Sequence, residues 1–110
     1  MSIEETQRGI AEEIRAAIKA ATSRAVYPDD EFGHPDPASL RVAGWDPDET
    51  QSNDRLLKHS TSHLVRNGWK VFPEPTDSDD RSARILKPGF ASGRLYAANQ
   101  GLTFTGTVES

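Results

Sequence analysis

The sequence contains no cysteine, and this absence removes a large part of protein chemistry. Disulfides, thiolate zinc sites, iron–sulfur clusters and cysteine nucleophiles are all excluded. No apolar run approaches the roughly 18 residues that a membrane-spanning helix needs, so we expect no membrane partner. The first residues lack the basic start and apolar stretch of a signal peptide. We therefore expect a cytoplasmic protein, or a virion component if the source is a phage.

Large apolar side chains are also scarce. Isoleucine, leucine, valine and phenylalanine make up 21 of the 110 residues, near the level at which disorder becomes a concern. The net charge of −4 is modest, however, and the length predicts a single domain over residues 1–110. A pI near 5.3 argues against nonspecific binding to nucleic acid. Arginine outnumbers lysine nine to four, a bias associated with GC-rich genomes such as those of actinobacteria and their phages.

Residues 1–25 are predicted to form an amphipathic helix. Isoleucines recur along it at the spacing of about 3.6 residues that places them on one helix face. Ser2, with Glu5 three residues later, has the spacing of a capping box at the helix start. Small alanines beside the stripe favour close packing against a sheet or another helix. The stripe consists of Ile3, Ile10, Ile14 and Ile18.

Residues 26–50 are predicted to be a long, acidic, proline-rich loop. Four prolines interrupt any helix there, and a short extended piece is expected at residues 40–43. A connection of this length inside a domain is usually functional or disordered. Its large apolar side chains indicate that parts of it dock on the rest of the protein. These side chains are Phe32, Leu40, Val42 and Trp45.

A second helix is predicted from about residue 50 to residue 67, where Gly68 favours a left-handed cap that ends it. Three residues that can accept hydrogen bonds from a helix start are candidate caps: Asp48, Thr50 and Ser52. The side predicted to be buried is marked by Leu57, Thr61 and Leu64, with Leu56 and Val65 beside it.

Beyond Gly68 the hydrophobic period changes to two, which indicates strands. Four strands are predicted, at residues 69–72, 81–87, 93–98 and 102–108. Gly101 is expected to supply a positive φ in the hairpin that joins the last two strands. The order of helix, loop, helix and four strands predicts an α+β fold, in which two helices pack on a four-stranded antiparallel meander.

The C-terminal half combines a helix, a glycine–tryptophan step and a patterned closing strand. The elements are the helix from Leu56-Leu57 to Leu64, the step Gly68-Trp69, and the strand Gly101-Leu102-Thr103-Phe104-Thr105-Gly106-Thr107. Over residues 52–108 this arrangement resembles small actinobacterial LppA-like lipoprotein-type proteins. The resemblance implies a helix-and-meander fold and no catalytic residues. The lipid-anchoring cysteine of such proteins is missing here, so we expect no lipid anchor.

His59 and His63 lie four residues apart on the second predicted helix, so both imidazoles share one stripe that could chelate a metal ion. The segment reads HSTSH and lacks the glutamate base of the zinc-protease motif. We therefore predict a solvated pair, no metal and no cofactor. Serine-hydrolase and nucleotide-binding motifs are also missing, so we expect no enzyme.

Charge is distributed unevenly along the chain. Residues 27–54 carry a net charge of −7, and residues 81–108 carry +4. In one interpretation, the acidic loop lies near the basic strands and offsets their charge. In another, the two regions dock a partner or further copies of the chain. In a third, the basic strands bind nucleic acid, although outward threonines stack poorly on bases.

These observations predict a small non-catalytic interaction or accessory protein of an actinobacterium, which docks a protein partner through its acidic loop and sheet surface. One alternative is a self-assembling phage structural component that uses the free edges of a meander. The other is a small metal-binding enzyme that uses His59 and His63. The residues predicted to contact a partner are Phe32, Trp45, Asp46, Asp48, Arg84 and Arg94.

Overall fold

A computed structural model gives the fold of residues 3–22, 24–34, 36–48, 51–76 and 78–109. Within this part of the chain, two helices and six strands follow one another in the order α1, β1, β2, α2, β3, β4, β5, β6. Their bounds are α1 Ile3–Ala21, β1 Glu31–Phe32, β2 Ser39–Trp45, α2 Asn53–Arg66, β3 Lys70–Pro73, β4 Arg81–Lys87, β5 Ala91–Ala98 and β6 Gly101–Val108.

All six strands of the described residues belong to one antiparallel sheet, in the spatial order β1-β2-β6-β5-β4-β3. Helix α1 packs on β2 and β6, α2 packs on β3, β4, β5 and β6, and the helices pack on each other. Both helices therefore cover the same face of the sheet. The predicted α+β class is confirmed, but the predicted four-stranded meander is wrong, because the sheet has two more strands.

The two additional strands come from residues 26–50, which were predicted to be a loop. Strand β2 pairs with β6 over its full length, from Ser39 opposite Thr107 to Trp45 opposite Gly101. The short strand β1 pairs with the other side of β2. The predicted extended piece at residues 40–43 lies inside β2. The prolines of the region fall outside the strand, so they do not interrupt its hydrogen bonds.

Helix α1 forms as its isoleucine stripe predicts. Ile10, Ile14 and Ile18 are each at most 2% exposed, and acids precede bases along the helix, which suits the helix dipole. The amide of Gln7 donates to the carbonyl oxygens of Pro37 and Ser39, at 3.0 and 2.8 Å, and so ties α1 to the turn before β2. The predicted cap Ser2 lies outside the described residues.

Helix α2 buries a different stripe from the predicted one. Leu56, Ser60 and Leu64 are buried, whereas Leu57 and Thr61 are only half-buried. A serine fits this interior position because its hydroxyl donates to the carbonyl of Leu56 at 2.8 Å. The helix is capped by one of the three candidates, Ser52, whose hydroxyl accepts from the Arg55 amide, and the candidate Thr50 lies outside the described residues.

The β5–β6 hairpin turns without the predicted glycine conformation. Asn99 and Gln100 have φ values of 49° and 69°, as in the two-residue turn that matches the twist of a hairpin. Gly101 lies in the strand instead. A Cβ at Gly101 would stand 2.8 Å from the Gly44 carbonyl oxygen, so this glycine is needed for close approach of β2 and β6.

Trp69 is 3% exposed and belongs to the core. Its ring meets the edge of Phe104 at 6.2 Å between centroids, and its indole N–H donates to Glu13 at 3.3 Å. Lys87 donates to the same carboxylate at 2.6 Å. The contact joins α1 to β4 on the covered side of the sheet.

Candidate functional site

The helices leave the opposite face of the sheet, here called the open face, exposed to solvent. Three strands each place one exposed arginine on it, because side chains alternate along a strand. Arg41 pairs with Thr105 of β6, Thr105 pairs with Arg94 of β5, and Arg94 pairs with Arg84 of β4. Arg41, Arg94 and Arg84 thus lie in register across the sheet, and we call them the arginine row.

The two ends of the arginine row differ in chemistry. Beyond Arg84 lies Phe72 of β3, whose side chain is 53% exposed. Beyond Arg41 lies Glu31 of β1, with 3.8 Å between the guanidinium and the carboxylate. Both members of this pair are largely exposed, so the interaction contributes little to stability.

Arg94, at the centre of the row, holds an intramolecular carboxylate. Its Nε and Nη2 donate to the two oxygens of Glu74, at 2.7 and 3.0 Å. Ser82 donates to the same carboxylate at 3.1 Å. Hydrogen bonding from Arg94 lowers the pKa of Glu74, against an opposing effect of burial and with smaller contributions from Ser82 and Arg84. The charge of Arg94 is therefore already partly neutralised.

Arg84 has no such carboxylate. Within the described residues it forms no ion pair shorter than 4.0 Å, although its charge acts on Glu74 at longer range. Its direct cross-strand neighbour is Arg94, and like charges opposite each other destabilise a sheet. An anion bound beside Arg84 would relieve this repulsion.

Two grooves run along the open face, one on each side of Arg94. The first has a volume of about 550 Å³ and the second about 520 Å³. Arg84 lines the first, Arg41 lines the second, and Arg94 and Thr105 line both. Each groove therefore contains one outer arginine of the row. Arg84, in the first groove, forms no ion pair within the described residues, and Arg41, in the second, has only the Glu31 carboxylate at 3.8 Å.

Two more aromatic side chains lie on the open face. Tyr96 is 40% exposed, and its hydroxyl donates to Asp80. This hydrogen bond is the main reason that the pKa of Tyr96 is raised. Trp45 is 41% exposed at the end of β2, on the same face as Arg41 but two cross-strand rows away. It was predicted to lie in a loop, and instead it belongs to a strand.

The structure does not bring the predicted acidic-segment residues to the arginine row. Phe32 pairs with Leu40 and so points to the helix side, at the edge of the sheet, where it lines a groove with the start of α1. Asp48 is exposed and pairs with Arg24 at 2.9 Å. Of the six residues predicted to contact a partner, only Arg84 and Arg94 lie in the arginine row, where they are adjacent to each other.

Asp46 has a role inside the fold. It is 3% exposed and accepts from the Thr22 hydroxyl and from the Asp48 amide, each at 2.8 Å. Its own amide donates to the carbonyl of Gln100 at 2.8 Å. These bonds join the end of β2 to the end of α1 and to the β5–β6 turn. A carboxylate held in this way is unavailable to a partner, so the prediction that Asp46 contacts one does not fit the structure.

The acidic segment offsets positive charge, but on the helix side. Asp30 pairs with Arg15 at 2.8 Å, and Asp48 pairs with Arg24 of the segment that follows α1. Among the residues with described positions, one ion pair joins the acidic region 27–54 to the basic strands, between Asp54 of α2 and Arg81 of β4 at 3.7 Å. Lys87 and Arg94 pair instead with Glu13 and Glu74.

His59 is exposed and His63 is half-buried on α2. No group of three or more histidine, aspartate or glutamate side chains in the described ranges is placed to hold a metal ion. The i, i+4 histidine pair thus has no third protein ligand among these residues.

Several residues of the site were not among the predicted ones. Arg41 alternates with Leu40 and Val42, so a period of two was visible there, but the surrounding prolines and acids favoured a loop. Phe72 and Tyr96 both lie in predicted strands at outward positions. Their association with the arginines depends on the pairing of the strands, which a single sequence does not display.

No protein-family model, curated protein or solved structure matches this chain. Neither helix of the described residues is long and apolar enough to cross a membrane. A functional proposal therefore rests on the geometry and chemistry of the open face.

Proposed function

We propose that this chain is a non-catalytic protein-interaction module that docks an acidic partner protein through the open face of its sheet. The observation that carries the proposal is the arginine row, Arg41, Arg94 and Arg84, aligned across a face that the helices leave uncovered. The row retains the predicted partner-contacting residues Arg84 and Arg94 and adds Arg41.

The composition of the open face supports a protein interface. Arginine, tyrosine and tryptophan are the side chains most enriched among the residues that dominate binding energy. Here Phe72, Tyr96 and Trp45 are 40–53% exposed on the face that bears the arginines. Their apolar surface can be buried by a partner, while the guanidinium groups form paired hydrogen bonds with its carboxylates.

Charge favours an acidic protein over a nucleic acid. The net charge of −4 weakens the long-range attraction of any anionic partner, so the distinction depends on the charges beside the row. Carboxylates also lie beside the row: Glu31 at one end, Glu74 on Arg94 and Asp80 on Tyr96. They repel a continuous phosphate chain, whereas a protein can place its few acidic groups between them.

The proposal keeps the predicted biological setting, an accessory protein acting inside an actinobacterial cell. It also keeps the likeness of residues 52–108 to LppA-like proteins as a hypothesis.

Site-specific photo-cross-linking tests the proposed function. A benzophenone amino acid replaces the exposed open-face residue Ser92, and in a second protein it replaces Lys19 on the outer side of α1. Each protein is irradiated in an extract of the source organism, and the cross-linked peptides are identified by mass spectrometry. We expect one dominant partner from Ser92, attached through an acidic segment, and no such product from Lys19.

A double variant provides the charge control for this experiment. Arg41→Gln with Arg84→Gln should abolish the cross-link from Ser92, because both outer arginines of the row are removed. Arg8→Gln with Arg55→Gln changes the net charge equally on the helix side and should leave the product intact. Persistence of the product in the Arg41/Arg84 variant, or equal loss in both variants, would contradict docking on the open face.

A further inference from the structure

The spacing of the arginine row sets the size of what it can bind. Arg41 lies on β2 and Arg84 on β4, with β6 and β5 between them. Adjacent strands are about 4.8 Å apart, so three steps separate the two backbone positions by about 14 Å. Each of these two arginines lines its own groove, on either side of Arg94.

An extended polypeptide matches this separation. A strand rises about 3.3 Å per residue, so side chains four residues apart are about 13 Å apart and point to the same side. In a helix, residues that share a side are about 10.5 Å apart at i, i+7 or about 16.5 Å apart at i, i+11. The extended conformation therefore fits the two outer arginines more closely than a helix does.

The centre of the row has a different requirement. Arg94 already donates two hydrogen bonds to Glu74, and its neighbour Thr105 offers a hydroxyl. A partner carboxylate placed there would face the carboxylate of Glu74. The partner residue midway between two acids therefore needs a neutral, small or hydroxyl-bearing side chain.

An apolar position adjoins one end of the row. Phe72 lies one strand beyond Arg84 and is 53% exposed. In an extended partner, the side chain two residues past the acid bound at Arg84 lies about 6.6 Å further along and on the same side. An apolar side chain at that position would cover the Phe72 ring.

We infer that the partner binds through an extended segment with two acidic side chains four residues apart and an apolar side chain two residues beyond one of them. The outer carboxylates bind Arg41 and Arg84, and the apolar side chain packs on Phe72. This inference rests on the proposed function and specifies the chemistry of the partner.

Short fluorescent peptides test the spacing. Each peptide is built from serine and glycine with two glutamates two, four or six residues apart, followed two residues later by leucine. Binding to the full chain is measured by fluorescence anisotropy at low and moderate salt. We expect the four-residue spacing to bind at least about fivefold more tightly than the others, which corresponds to about 1 kcal/mol.

Single variants assign each end of the peptide. Arg41→Gln and Arg84→Gln should each remove the preference for four-residue spacing, and Phe72→Ala should remove the gain from leucine. Arg55→Gln, an exposed arginine on α2, is the matched control and should change nothing. Circular dichroism of each variant establishes that the fold is retained, since all four positions are exposed.

Three results would overturn the inference. Equal affinities for all spacings would show that the face recognises negative charge without register. Tighter binding by a helical peptide with acids at i and i+7 would reject the extended segment, and tighter binding by an oligothymidylate would reject a protein ligand. In the first two cases a Ser92 cross-link to an acidic protein would still support the proposed function, whereas loss of that cross-link removes both.

Discussion

The two tyrosines of this chain are both held in their protonated form, for different physical reasons. Burial raises the pKa of Tyr27, and the positive charge of Arg15, whose guanidinium lies 5.3 Å from the ring centre, opposes this effect. The pKa of Tyr96 is raised mainly by its hydrogen bond to Asp80, with burial and the charge of Asp80 acting in the same direction. The pKa of Tyr27 therefore reports on the helix side of the sheet, and the pKa of Tyr96 reports on the open face.

A tyrosinate absorbance titration should resolve the two groups. Tyr27→Phe leaves only Tyr96 and Tyr96→Phe leaves only Tyr27, and each remaining group should titrate above the ordinary value of about 10. Because both pKa values are raised, the stability that each hydroxyl contributes is present below about pH 10 and is lost as the pH rises through the folded-state pKa. Asp80→Ala, which removes the acceptor, should bring the midpoint of Tyr96 back towards 10 and leave that of Tyr27 unchanged. An unshifted Tyr96 in the parent protein would contradict the bond to Asp80.

Glu74 determines how much charge the centre of the row presents. The pKa of Glu74 is lowered. The ion pair with Arg94 is therefore fully formed at pH values above the ordinary carboxyl pKa, and it is lost only as the pH falls through the lowered pKa. Glu74→Gln should therefore free Arg94. We expect a peptide with a third glutamate midway between two outer ones to gain about fivefold in affinity in this variant and little in the parent. Ser82→Ala, which removes only the minor donor to Glu74, should not produce the gain.

At the scale of elements, strand β2 supplies two of the exposed side chains of the open face. It carries Arg41 and Trp45, and it lies inside the sheet between β1 and β6. Its last residue is paired on the outer side with Val26, through reciprocal hydrogen bonds of 2.7 and 3.0 Å. Directly after the strand, Asp46 bonds to Thr22 and closes this end of the fold.

The two aspartates after β2 should respond differently to removal. Asp46→Ala leaves the buried hydroxyl of Thr22 without its acceptor, so the free energy of unfolding in urea should fall by about 1–3 kcal/mol. Asp48→Ala removes only an exposed pair with Arg24 and should change the free energy by less than about 0.5 kcal/mol. Equal losses in the two variants would mean that Asp46 does not fasten the strand.

The elements that local pattern defines were predictable from the sequence. The isoleucine stripe of α1 and the alternation in β4 gave their positions closely, because burial of one face imposes a period on the chain. Strand β1 was missed, and β2 was predicted only as a short extended piece at residues 40–43, because nearby prolines and acids outweighed a short alternation at residues 39–45. For the candidate site, Arg84 and Arg94 were predicted and Arg41 was not. Its place beside them depends on pairing with β6, about 60 residues away in the chain, and no local pattern specifies that pairing.

At the scale of the whole molecule, the sheet offers little edge for further strands. One edge is β1, with two residues, and the other is β3, with four residues ending at Pro73, which has no N–H to donate. These short edges therefore disfavour self-assembly by strand addition. A partner has far more surface available on the open face than along either edge.

Light scattering after size-exclusion chromatography should show a monomer. We expect a mass near 12.1 kDa at both low and high salt, because the acidic segment pairs with arginines of its own chain and the edges are short. A larger species at low salt that dissociates at high salt would instead support head-to-tail assembly and the phage structural alternative.

The position of β6 also governs when the protein can fold. This strand is synthesised after every other described element, yet it lies at the middle of the sheet between β2 and β5. On the ribosome, helix α1 and strand β2 must wait for it with their apolar side chains uncovered. The sheet cannot close until β6 has left the exit tunnel, so folding is completed after synthesis of this region and not progressively during it.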